Sequence, residues 1–210
     1  MKTETKLSQN DKEQLVQDAL QQAMSYEAYT QLVAQHADAG TNTGPETTEA
    51  LVNYTLLSYR RMKRWGKTFK LQAEDLEQIT NFDGDVTWLI ITESWCGDAA
   101  QTMPMMDKIA QASNDKINVK VVLRDENLEL MDAFLTNGAR SIAKLIAIDN
   151  TTGAITGEWG PRPSMATQMV IDYKEEYGKL TPEFKQDLQV WYNKDKGRNT
   201  TEDLLGLLKQ

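Results

Sequence analysis

The chain has 210 residues, room for one ordinary domain with extra elements or for two small ones. Hydrophobic residues are 40% and charged residues 26%, which excludes wholesale disorder, and no run approaches the ~18 uninterrupted apolar residues of a membrane span. Asp plus Glu at 31 against Lys plus Arg at 23 leave a net charge of −8, which argues against nucleic acid as a partner because its phosphates would be repelled.

In chain order, residues 8–66 read as a helical extension. Asn10 with Glu13 suggests a capping box. Leu15, Val16, Ala19, Leu20, Ala23, Met24 and Tyr26 recur at helical spacing, and the stripe continues through Leu32 and Val33. Gly40 to Pro45 breaks this helix. A second helix starts near Glu46, keeps the period through Leu51, Leu57 and Met62, and has Gly66 as its predicted stop. The middle section, 67–178, alternates: strand 86–92, helix 98–113, strand 117–123, helix 127–137, then strands 145–148 and 154–159 around the turn signal Asn150-Thr-Thr-Gly, then helix 164–177. The last section, 181–210, is two helices, the first capped by Thr181 before Pro182. This order implies an α/β fold, a mixed sheet with helices packed on it.

One cysteine excludes an intramolecular disulfide and a cysteine-based zinc site, and one histidine excludes multi-histidine metal sites. A lone cysteine, and no apolar signal core in Met1–Asn10, fit a reducing cytoplasm. The chemistry concentrates in Trp95-Cys96-Gly97-Asp98-Ala99, where a buried strand ends and a helix begins. Helix N-termini present unpaired N–H groups and partial positive charge, so the Cys96 thiol is expected below the ~8.5 of a free thiol. Asp98 opposes this, leaving a modest net lowering. Glu93 and Asp98 alone do not make a metal site, and neither metal nor resident cofactor is expected.

Here the sequence resembles the thioredoxin family, over roughly residues 70–178. Trp95-Cys96-Gly97 matches the start of the family's W-C-G-x-C. Pro104 falls where the family's second helix is kinked. Arg124-Asp125-Glu126-Asn127 looks like its polar step into the third helix, and Gly138 to Leu145 looks like its cis-proline segment. More narrowly, Trp95-Cys-Gly-Asp98 with Trp159-Gly-Pro-Arg-Pro163 resembles the bacterial thioredoxin-like proteins that carry a WCGD motif. In those, too, a helical segment with Thr-Gly and Arg-Met-x-Arg precedes the fold, here Thr43-Gly44 and Arg61-Met62-Lys63-Arg64. The resemblance implies a thioredoxin-like mixed sheet with helical extensions at both ends.

The departures limit the chemistry it implies. The resolving cysteine's position holds Ala99, the cis-proline's holds Ala143, and the buried acid's holds Ile90. A non-proline cis bond costs ~2.5–4 kcal/mol, so the peptide before Ala143 is expected to be trans. Without a second thiol the chain cannot close a dithiol cycle alone. Two readings stay open. In one, Cys96 is a monothiol nucleophile that forms mixed disulfides with a protein or small-molecule thiol, and an external thiol such as glutathione completes the turn. Trp95 shields the thiol, Gly97 and Asp98 supply N–H groups, and Ile142 and Ala143 line the groove. Arg61 or Arg64 docks beside the thiol and lowers its pKa. In the other, the groove holds a partner protein and the thiol is incidental. Arg162 is read first as part of a stiff proline corner and second as facing the site.

Overall fold

A computed structural model describes residues 7–209. Met1–Lys6, part of the polar N-terminal stretch read above, and Gln210 lie outside the described residues. Four helices precede the central strand: α1 (Gln9–Gln22), α2 (Tyr26–Ala39), α3 (Glu49–Thr68) and α4 (Ala73–Asn81). Between the first two lies a two-residue strand, β1 (Met24–Ser25). Then follow β2 (Val86–Thr92), α5 (Ala99–Ala112), β3 (Ile117–Leu123), a 3-10 turn (Arg124–Glu126), α6 (Leu128–Ala133), β4 (Lys144–Asp149) and β5 (Ile155–Trp159). The chain ends with α7 (Ser164–Tyr177), α8 (Pro182–Asp195) and α9 (Arg198–Leu207).

The sheet runs β1-β3-β2-β4-β5. β2 and β3 pair in parallel, with Val86 opposite Ile117 and Thr92 opposite Leu123; all other pairs are antiparallel. This is the mixed sheet that the element order implied. Every residue of β2 is buried, as its continuous apolar run requires of a strand covered on both faces. Val16, Tyr29, Val33 and Met62 of the N-terminal helices share one core with the strands. A second, smaller cluster lies between α7 and α8, where Val170, Phe184, Leu188 and Tyr192 are buried. At roughly 1.5–3 kcal/mol for each large apolar side chain, that base holds α8 in place beside the sheet's end.

Several boundaries differ from the expectation. The long N-terminal helix is two, because Ser25 caps α2 through Ala28 N–H (3.1 Å) and Met24–Ser25 pair with the edge of β3. The apolar stripe runs on across the break and hides it. The capping box of α1 is Ser8 with Asp11, not Asn10 with Glu13. α3 passes through Gly66 because Trp65 and Phe69 are buried against Met105, and it ends with Phe69 N–H on the Trp65 carbonyl (2.9 Å). α4 occupies a stretch for which the sequence predicted no element. α6 stops at Ala133: Asn137 and Gly138, both at positive φ, form a tight turn bridging Thr136 and Ala139 instead of a helix stop.

The peptide Ile142–Ala143 is cis, against the trans geometry expected, as is Gly160–Pro161. That expectation took no account of packing. Ala143 is fully buried, and its carbonyl abuts Gly160, where any side chain would collide with it.

Candidate functional site

β2 delivers the chain to a loop, Glu93–Asp98, from which α5 departs. Glu93 is the pillar of this loop and is fully buried. One carboxylate oxygen accepts the Asp125 N–H (2.9 Å), and the other accepts the Thr43 hydroxyl. The Glu93 carbonyl takes the Tyr29 hydroxyl (3.0 Å) and the Cys96 N–H (3.0 Å). Thr43 and Ser94 bond reciprocally, Thr43 N–H to Ser94 Oγ (3.1 Å) and Ser94 N–H to Thr43 Oγ1 (3.0 Å). The Thr43-Gly44 segment is thereby bolted to the cysteine loop. Burial pushes the Glu93 carboxyl up, opposed by its donors Thr43 and Asp125. The sequence reading weighed Glu93 only as a metal ligand, and no cluster of ligating side chains occurs among the described residues.

Cys96 sits at the mouth of α5, as expected, with its sulfur accepting the Ala99 N–H (3.4 Å). It is only 5% exposed. Burial, then the Asp98 carboxylate, push its pKa up to about 12, and the Ala99 N–H recovers only part of this. The expected lowering is therefore reversed. Helix-end amides favour a thiolate only where water or opposite charge also supports it, and here removal from water outweighs them. Tyr29 from α2 and Tyr192 from α8 lie close enough to act electrostatically with the thiol.

Asp98 is held from two sides. Arg162 Nη2 pairs with it at 2.7 Å, and the Tyr192 hydroxyl donates to it at 3.3 Å. Arg162 therefore faces the site, and the proline corner is the device that aims it. Gly160 at φ +114 packs on the Ala143 carbonyl, and the prolines fix the backbone on either side of Arg162. Of the two readings of Trp159-Gly-Pro-Arg-Pro163, the second, Arg162 facing the site, is the one the ion pair with Asp98 bears out.

The other expected residues divide. Arg61 reaches the loop: its Nη1 lies 3.3 Å from where a Gly97 side chain would start. Arg64, one turn on, points elsewhere; its guanidinium lies over the Trp65 ring (4.6 Å) and lines a different cavity. Neither arginine is among the groups that shift Cys96. Trp95 flanks the thiol as expected, with the Arg124 guanidinium 4.9 Å from its ring centre. Ala99 and Ala143 are buried and line no groove; Ala99 acts through its N–H and Ala143 through its packing. Ile142 does line the groove. Among the described residues, neither its N–H nor its carbonyl has a hydrogen-bond partner.

The groove itself encloses about 760 Å³. Cys96, Gly97 and Asp98 form its floor; Tyr54, Leu57 and Arg61 of α3 form one wall; Lys185, Leu188 and Gln189 of α8 form the other. α8 is fastened to the floor by Tyr192 on Asp98 and by Gln101 Nε2 donating to Gln189 (2.6 Å).

A family model described as thioredoxin matches residues 44–175. No curated protein matches the chain in sequence. Two solved structures resemble it in fold. One is an HIV epitope-scaffold protein, with TM-score 0.55 and 15% identity, covering 89% of this chain and 98% of that one. The other is a protein of unknown function from Pseudomonas aeruginosa, with TM-score 0.54, 15% identity and the same coverages. At that identity the likeness concerns the fold alone.

Proposed function

The chain belongs to the thioredoxin family, and from that premise we propose that it is a binding member of it, holding an extended ligand in the groove above Cys96 with the thiol protonated at rest. The observation that carries this reading is Ile142. Ile142 lines the groove, and its N–H and carbonyl, without partners among the described residues, suit strand-like pairing with a ligand backbone. The floor beneath them is chemically quiet, because Cys96 is buried and its pKa is pushed up to about 12. Neither a second cysteine nor a histidine stands by to activate it.

A second reading is favoured by one contact, the Ala99 N–H on the sulfur, which would stabilise a thiolate if the site opened. Deprotonated Cys96 would then attack a protein or small-molecule disulfide. A mixed disulfide forms, the leaving sulfur departs as thiolate, and an external thiol such as glutathione attacks the mixed disulfide to release Cys96.

Cys96→Ser separates the two. On the binding reading, the variant binds a fluorescent extended peptide with an aliphatic centre within about twofold of wild type, well under the tenfold that 1.4 kcal/mol represents. Disulfide reduction in an insulin assay with glutathione supplied stays at the level of glutathione alone for both proteins. Loss of peptide binding in Cys96→Ser, or an acceleration over glutathione alone by the wild type that Cys96→Ser lacks, contradicts the binding reading.

A further inference from the structure

Four arginines of the described residues are partly buried: Arg61, Arg124, Arg162 and Arg198. Three are ion-paired, Arg124 with Asp125 (2.8 Å), Arg162 with Asp98 (2.7 Å) and Arg198 with Asp75 (2.7 Å). Arg61 is the exception. Among the described residues its guanidinium has no carboxylate within ion-pairing distance and no hydrogen-bond acceptor, although it is set into the groove wall against Gly97. A guanidinium carries five N–H donors in a planar fork, and partly desolvating it without an acceptor is unfavourable. The nearest acid, Asp98, is already engaged by Arg162 and Tyr192. Lys185 on the opposite wall is a second cation with no ion pair among the described residues. With Arg162 cancelled by Asp98, the groove is a cationic island on a chain of net charge −8.

We propose that the groove selects an acidic peptide segment, with Arg61 as the residue that reads its carboxylate. This rests on the groove-binding reading and specifies its ligand. The side-chain carboxylate of an extended acidic residue takes the Arg61 fork bidentately. The segment's main chain pairs with Ile142, and its aliphatic neighbours rest on Tyr54 and Leu57, which are 48% and 38% exposed. That combination of apolar wall and unpaired backbone fits a peptide rather than a small anion.

The test uses the full chain and two fluorescent peptides with the same aliphatic centre, one flanked by glutamates and one by glutamines, read by anisotropy at low salt. The glutamate peptide is expected to bind about tenfold more tightly. Arg61→Gln removes that preference, so that the two peptides bind with equal affinity. Arg61→Lys keeps part of it, because charge survives without the fork. Lys63→Gln, on the same helix but outside the groove, changes neither affinity. In the wild type the preference shrinks with added salt, which serves as the check should Arg61→Gln not fold. Equal affinity for the two peptides, a preference that survives Arg61→Gln, or a salt-independent preference overturns the acidic-peptide assignment and leaves the groove reading standing. Glutathione displacing the glutamate peptide at matched concentration reassigns Arg61 to a small anionic thiol and also overturns it. Failure of both peptides to bind overturns the groove reading itself.

Discussion

The floor and the walls of the groove are built on opposite plans. The floor is dry. Cys96 is covered, its sulfur accepts the Ala99 N–H, and its charge is opposed by burial and by Asp98. The walls are more open, with Arg61 outside ion-pairing distance of any carboxylate among the described residues and Tyr54 and Leu57 open to solvent, and beside them Ile142, though buried, lacks backbone partners. On the proposed reading, the parts that recognise a ligand are in place and the reactive atom is muted. Recognition and reactivity are thus separable properties of one groove, and substitutions should move one without the other.

The largest effect is expected at the joint that serves the walls. In Gly160→Ala the new methyl meets the Ala143 carbonyl, a backbone atom, at a φ of +114 that alanine rarely adopts. Urea unfolding should show a loss of about 3 kcal/mol or more. Peptide affinity should fall with it, because Arg162 and Ile142 are both positioned there. A loss under about 1 kcal/mol would mean the corner is softer than its packing implies.

Glu93→Gln should cost less, about 1–3 kcal/mol, by weakening the bonds to Thr43 and Asp125 N–H. It also tests linkage. The folded state raises the Glu93 pKa, so this group's contribution to stability is fully present below the ordinary carboxyl range. It is lost as pH rises through the raised folded value. The wild type should therefore lose this increment across that window while Glu93→Gln does not, as read by unfolding midpoints from acid to neutral pH. Identical pH profiles would remove Glu93 as the source.

The smallest effect sharpens the contrast most. Asp98 is the largest charge acting against the Cys96 thiolate. Asp98→Asn should lower the thiol pKa by about one unit, speeding alkylation near pH 8 roughly tenfold. No change in rate would show that burial alone holds the thiol.

Much of the scaffold was legible because local periodicity and the core agree there. The spans 86–92, 117–123 and 164–177 are strands and a helix as read, and Thr181-Pro182 starts α8. The placement of Cys96 at the start of α5 was legible too, as were Trp95, Ile142 and Arg61 around it. The state of the thiol was not, because burial, its largest cause, is a tertiary property, and Tyr29 and Tyr192, which lie close to the thiol, come from helices far away in the chain. Nor was the choice between Arg61 and Arg64. A helical turn separates them, and only the packing of Trp65 shows which of the two faces the groove. Asn137-Gly138 shows the limit of local signals: the same dipeptide serves as helix stop or as turn, and tertiary packing decides.

The most direct test of the account is the rate of Cys96 alkylation by iodoacetamide in the native protein as a function of pH. With the pKa pushed up to about 12, the rate at neutral pH should fall far below that of a free thiol and keep rising through pH 9 without a plateau. A plateau with its midpoint below about 7, the range of activated cysteines, would contradict the account and restore an exposed, reactive thiol as the centre of this groove.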